Sequence, residues 1–189
     1  ERWFNLGDRD LAMAIHRTRL LRTGVPMHEV VAGLARDWGL TCTVLPMTNE
    51  PVQTMITGPD GELAFQEYMV KLRTELDVRS IRFAGIEAAK PGPGVIESLA
   101  DAEMVILAPS NPFVSIGPIL GVPGVRAALE TTKAVRVAIS PIIAGQVVKG
   151  PAAKMMTTLG YEVSALGVAK IYNGLVDLFV LDEQDRALA

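Results

Sequence analysis

The apolar residues of this chain change rhythm several times, and each rhythm predicts an element. Met104, Val105, Ile106, Leu107 and Ala108 form an unbroken, uncharged run between polar stretches. That pattern predicts a central parallel strand covered on both faces. The run stops at Pro109, Ser110, Asn111 and Pro112, then passes Ser115, Gly117 and Pro118 toward a helix predicted over 124–132. A loop rich in hydroxyl, amide and glycine at the carboxyl end of such a strand is where open α/β sheets bind ligands. Free N–H groups at the start of a following helix favour an anion there, most often phosphate.

Upstream, the spacing of Leu11, Ala14, Ile15, Thr18 and Leu21 predicts the inner stripe of a helix over 9–23, capped by Asp8 and stopped by Gly24. Pro26 is placed to open a second helix that runs to about Trp38. His16 and His28 read as ordinary helix and surface residues. From Thr41 the pattern becomes β-like: strands are expected over 41–45 and 52–57, the latter alternating Val52, Thr54 and Ile56 with Gln53, Met55 and Thr57. Gly58, Pro59, Asp60 and Gly61 form a turn signal, so 62–68 should return as a hairpin strand, with a short helix following to Leu76. Strands at 77–84, 104–108, 135–139 and 176–181, with helices over 92–100, 124–132, 152–159 and 164–172 between them, predict a parallel α/β sheet with right-handed crossovers. The segment 182–185 reads as exposed.

Composition narrows the function. The 189 residues are enough for one domain, and 49% hydrophobic with 21% charged residues is ordinary for a soluble globular protein. A net charge of −3 gives no reason to expect nucleic acid as a partner. No apolar run reaches the length of a membrane span. A lone cysteine, Cys42, excludes an internal disulfide and a cysteine-based metal cluster, and fits a reducing, cytoplasmic setting. The sequence holds no Ser/His/Asp set, HExxH, Walker-type GxxxxGK[ST] or GxGxxG motif.

A second Ser-Pro loop, Ser140 to Gly145, follows the 135–139 strand, and Lys149 and Lys154 lie close behind it. Ser110, Ser115 and Asn111 could hold a diphosphate, while Lys149 and Lys154 could neutralise charge moving onto a leaving phosphate. Glu67 could act as a catalytic carboxylate. Each has a plainer reading: hydroxyls capping backbone groups, and charges solvated at the surface. Without a plausible protein nucleophile, direct transfer between two bound substrates, or binding alone, is expected.

Several blocks in one order resemble the 2-phospho-L-lactate transferase family, also called phosphoenolpyruvate transferases, of coenzyme F(420) biosynthesis. They are Phe4 to Ala12 with Arg17 and Thr18, Phe65 to Val70, Gly94 to Glu97, Ala108 to Leu129, Ser140 to Ile143, Lys149 to Ala152, and Lys154 to Met156. The resemblance implies a three-layer, Rossmann-like α/β fold: a mostly parallel sheet with helices on both faces and a β-hairpin addition. It implies a single domain whose residues 1–101 form a helical and hairpin substrate side and 102–189 a nucleotide side. The activity implied is a phosphotransferase reaction. It joins a guanosine-diphosphate-activated three-carbon acid, derived from phosphoenolpyruvate or 2-phospholactate, to the deazaflavin Fo, and GMP leaves. The residues placed on that chemistry are Lys149, Lys154 and Glu67 as catalytic groups, and Ser110, Asn111, Pro112, Ser115 and Ser140 as binding groups.

Magnesium is implied as a cofactor, with its ligands in a first strand, glycine-rich loop and aspartates that this sequence lacks. On that reading the chain is the middle of the enzyme, inactive alone, with a homodimer possible. The rival expectation is a regulator that binds a nucleotide sugar, similar to the gluconeogenesis-factor family.

Overall fold

A computed structural model describes residues 4–147 and 150–189. Two helices come first, α1 (Asp8–Arg22) and α2 (Met27–Asp37). A three-stranded antiparallel sheet follows: β1 (Gln53–Gly58), β2 (Gly61–Ala64) and β3 (Ser80–Ala84), in the order β2-β1-β3. Then come α3 (Val95–Asp101), β4 (Met104–Leu107), α4 (Gly117–Gly121), α5 (Val125–Thr131) and β5 (Val135–Ile139). A small ribbon of β6 (Ile142–Ile143) and β7 (Gln146–Val147), helices α6 (Ala152–Thr158) and α7 (Ala165–Ile171), and β8 (Leu178–Val180) complete the α/β part. Strands β4, β5 and β8 form a parallel sheet in that order, with Ile106, Val137 and Leu178 in register.

The hairpin forms where the turn signal placed it, with Gly58 opposite Gly61. Its return strand is shorter than 62–68, because Phe65 and Gln66 already turn helically into a wide π turn, Glu67–Lys71. No helix continues to Leu76: Arg73 and Thr74 take left-handed φ values of 48° and 63°. The expected strand at 77–84 begins at Ser80 and pairs antiparallel with β1, outside the parallel sheet. Residues 41–45 are not a strand; β-branched composition alone cannot make one without a neighbour to share backbone hydrogen bonds.

At the first helix the cap is Gly7, and Asp8 already lies in the first turn. The side facing α2 is half-buried at Met13, Ala14, His16, Leu20 and Leu21, while Leu11 and Ile15 are exposed. The N-terminus of α2 is capped from a distance: Asn49 Oδ1 accepts the His28 N–H at 2.9 Å, so His28 is half-buried rather than a free surface residue.

Two apolar cores hold the chain. One lies under the parallel sheet: Leu107 and Ala138 pack with Ile116, Leu129, Met156, Val168 and Tyr172. The other joins Ile56, Tyr68, Val78 and Met155, and Phe113 packs against both. The hydroxyls of Tyr68 and Tyr172 are buried without a hydrogen-bond partner among the described residues. Burial pushes both phenols above the usual tyrosine range, with Asp77 adding to the effect at Tyr68.

The opposite face of the parallel sheet is left open by the described residues, whereas the run 104–108 was expected to be covered on both faces. Met104, Ile106, Val135, Leu178 and Val180 are 43–57% exposed. The reason is topological. Both steps, β4 to β5 and β5 to β8, move the same way across the sheet, so right-handed crossovers put their helices on one side. Only a strand beyond a switch point would send a helix to the other side, and none is among the described strands. No single described helix is long and apolar enough to cross a membrane; the apolar pieces Pro112–Gly121 and Val125–Thr131 bend by 89°.

Candidate ligand site

The loop after β4 folds around one side chain. Asn111 Oδ1 accepts the N–H groups of Phe113 (2.9 Å) and Val114 (3.2 Å), and its backbone carbonyl accepts those of Ser115 and Ile116 at 3.1 Å. This winds Pro112–Ile116 into a second π turn, with Pro112 buried at its first position, where a missing N–H costs nothing. Asn111 Nδ2 reaches Met155 Sδ at 3.5 Å and so ties the turn to α6. The N–H groups of residues 113–116 are therefore satisfied within the turn.

What remains open is the pair of hydroxyls. Ser110 and Ser115 line a cavity of about 300 Å³ with Phe65 and Met69 on one side and Pro141, Val147 and Pro151 on another. Both serines are half-buried, and neither side chain has a hydrogen-bond partner among the described residues. Two unsatisfied hydroxyls at the carboxyl end of a parallel strand, walled by apolar groups, can donate to an anionic or polar ligand.

Other candidates stand elsewhere. Ser140 is buried and closed on itself: its Oγ donates to the Ile142 carbonyl at 2.8 Å and accepts the Ile142 N–H at 3.1 Å. Glu67 is paired with Lys71 at 2.7 Å and does not line the cavity. The Lys154 ammonium donates to the carbonyls of Thr74 (3.0 Å) and Glu75 and lies 3.3 Å from the Asp77 carboxylate. Lys149 lies outside the described residues.

Comparison with known proteins now decides the family. Residues 1–188 match the family described as 2-phospho-L-lactate transferase CofD. The chain belongs to the CofD family. It is 41% identical to the 2-phospho-L-lactate transferase of Methanosarcina mazei over 99% of this chain and 61% of the relative. It is also 41% identical to the phosphoenolpyruvate transferase of Mycolicibacterium smegmatis, over 98% of this chain and 60% of that protein. The chain thus spans about three-fifths of the length of the curated relatives it matches. Two crystal structures of a UPF0052-family protein from Bacillus halodurans share the fold. One has a TM-score of 0.64 at 19% identity, covering 90% of this chain and 51% of that one; the other has 0.62 at 16%, covering 98% and 66%.

Within this CofD-family chain, the described residues contain no group of three or more His, Cys, Asp or Glu side chains able to hold a metal ion. The magnesium ligands implied by the resemblance were expected outside this sequence, and no such group among the described residues stands in for them. Two positioning residues escaped the sequence reading. Met155 supports Asn111 from below, and nothing in local sequence announces that contact. Asp185 is buried rather than exposed: its two carboxylate oxygens accept the Ala144 N–H at 3.1 and 3.0 Å, fixing a turn where Ala144 has φ 49°.

Proposed function

We propose that this chain carries the phosphate-holding side of a transferase acting in coenzyme F(420) biosynthesis. The donor is a guanosine-diphosphate-activated three-carbon acid, and the acceptor is the deazaflavin Fo. The observation that carries this reading is the pair of unpartnered hydroxyls, Ser110 and Ser115, in the cavity beside β4. At about 300 Å³ the cavity is at the small end of ligand sites. It suits the phosphate-bearing part of the donor rather than a whole nucleotide. The transferase names of the curated relatives support the reaction class.

On this reading the terminal ribityl hydroxyl of Fo attacks the phosphorus that carries the acid. A new P–O bond forms, the bond to GMP breaks, GMP leaves, and the hydroxyl proton passes to solvent. No covalent enzyme intermediate is needed, so rate comes from alignment and from donors aimed at the phosphoryl oxygens. Ser110 and Ser115 supply such donors. Phe65 and Met69 give that side of the cavity an apolar wall.

Thermal denaturation with GDP, GMP, Fo and UDP-N-acetylglucosamine tests the reading. A ligand at 100 times its dissociation constant adds about 2.7 kcal/mol. Stabilisation by GDP that is lost in Ser110→Ala and Ser115→Ala is the expected result. Stabilisation by the nucleotide sugar alone would replace the transferase reading with the regulatory one.

A further inference from the structure

Lys154 was expected to neutralise charge on a leaving phosphate, yet its amine meets other groups. It sits on the carbonyls of Thr74 and Glu75 and beside the Asp77 carboxylate. The turn it holds is unusual. Arg73 and Thr74 both lie in the left-handed region, where residues other than glycine are rarely found. The turn is also bonded back to the preceding segment: the Leu72 N–H donates to the Glu67 carbonyl and the Thr74 N–H to the Tyr68 carbonyl, both at 3.0 Å. That segment carries Phe65 and Met69, one wall of the cavity.

The other end of the lysine belongs to the opposite wall. Helix α6 starts at Ala152, which lines the cavity with Gly150 and Pro151, and Lys154 is two residues further along. Its neighbour Met155 is fully buried against Tyr68 and Val78 and also meets the Asn111 amide. One turn of α6 therefore connects three parts of the site: the serine loop through Met155, one wall through Ala152, and, through Lys154, the turn that is bonded back to the segment forming the other wall.

We propose that Lys154 is a positioning residue that fixes the separation of these two walls through the Thr74 and Glu75 carbonyls, rather than a cation that meets the ligand. The proposal rests on the cavity being the phosphate-holding site described above. Two charge-assisted hydrogen bonds to backbone carbonyls, supported by Asp77, suit this role better than a mobile phosphate contact. A lysine on the diphosphate would discriminate between ligands by charge. A lysine that sets wall spacing would affect all ligands of the cavity alike.

The test compares the unaltered chain with Lys154→Met and Lys154→Arg by hydrogen exchange and by titration with GDP and GMP. Lys154→Met should speed exchange at residues 72–77 and weaken GDP and GMP by the same factor, roughly tenfold. Lys154→Arg, which keeps a donor in reach, should restore most of both. Unchanged exchange at 72–77 in Lys154→Met would overturn the proposal. So would a loss for GDP several times that for GMP, which would put the amine on the second phosphate. If the unaltered chain binds neither nucleotide, the transferase reading fails, and the exchange rates alone then decide whether Lys154 clamps the turn.

Discussion

Asn111 shows how much one side chain can settle. Its carboxamide oxygen closes the π turn, and its amide nitrogen rests on Met155. Asn111→Ala leaves two N–H groups of a half-buried turn without that acceptor and should cost about 1–2 kcal/mol. For a chain of this size that lowers the melting temperature by roughly 2–8 °C, read by calorimetry. Asn111→Asp, which keeps the acceptor, should lose less. At the sheet, the Arg136 guanidinium forks onto Asp177 at 2.5 and 3.1 Å and holds that carboxyl below its usual range. A depressed carboxylate stabilises the fold above the unfolded-state pKa, near 4, and that contribution fades as pH falls through the lower folded-state value. Asp177→Asn should therefore lower stability at pH 7 but leave it nearly unchanged at pH 2, as chemical denaturation at both pH values will show. The sequence exposed Ser110 and Ser115 as loop residues because strand-then-loop is local grammar. It could not show what Lys154 and Asp185 bind, since a long stem and a distant tail reach their partners only when the chain has folded.

Elements were legible where the period was strong and the neighbours were sequential. The strands near 104–107 and 135–139 and the hairpin turn came from local pattern, because burial on a pleated surface writes itself into consecutive residues. The segment 41–45 has the same composition without a partner strand, and the stripe expected along α1 holds at Ala14 and Leu21 but not at Leu11, Ile15 and Thr18, because α2 is the chief packing partner. Helix α7 was read correctly from Ser164, whose Oγ accepts the Gly167 N–H at 3.0 Å. The same helix carries a constraint the sequence hides. A Cβ on Gly167 would stand 2.0 Å from the Glu162 carbonyl oxygen. Gly167→Ala normally favours a helix; here it should destabilise the chain by about 1–3 kcal/mol, visible as an earlier urea midpoint at unchanged slope.

Among the described residues the parallel sheet is lopsided: its crossover helices pack on the Leu107 and Ala138 side, and five large apolar residues face outward on the other. Replacing Ile106 and Leu178, which flank Val137 in register, by lysine should change the unfolding free energy by less than about 1 kcal/mol, because both are already exposed. It should also reduce binding of a hydrophobic fluorescent dye. A large loss of stability would show that the face is covered in solution. Which face of the sheet the described helices cover could not be judged from strand patterns, which look the same in open and closed sheets. The two buried phenols have a consequence of a different kind. Tyr68 lies in one core and Tyr172 in the other, so each half of the molecule contains its own ultraviolet reporter. In an alkaline jump these rings absorb as phenolates only once their own surroundings open. Tyr68→Phe and Tyr172→Phe then time the two cores separately, and because Phe113 packs against both, the two signals should rise with one rate constant.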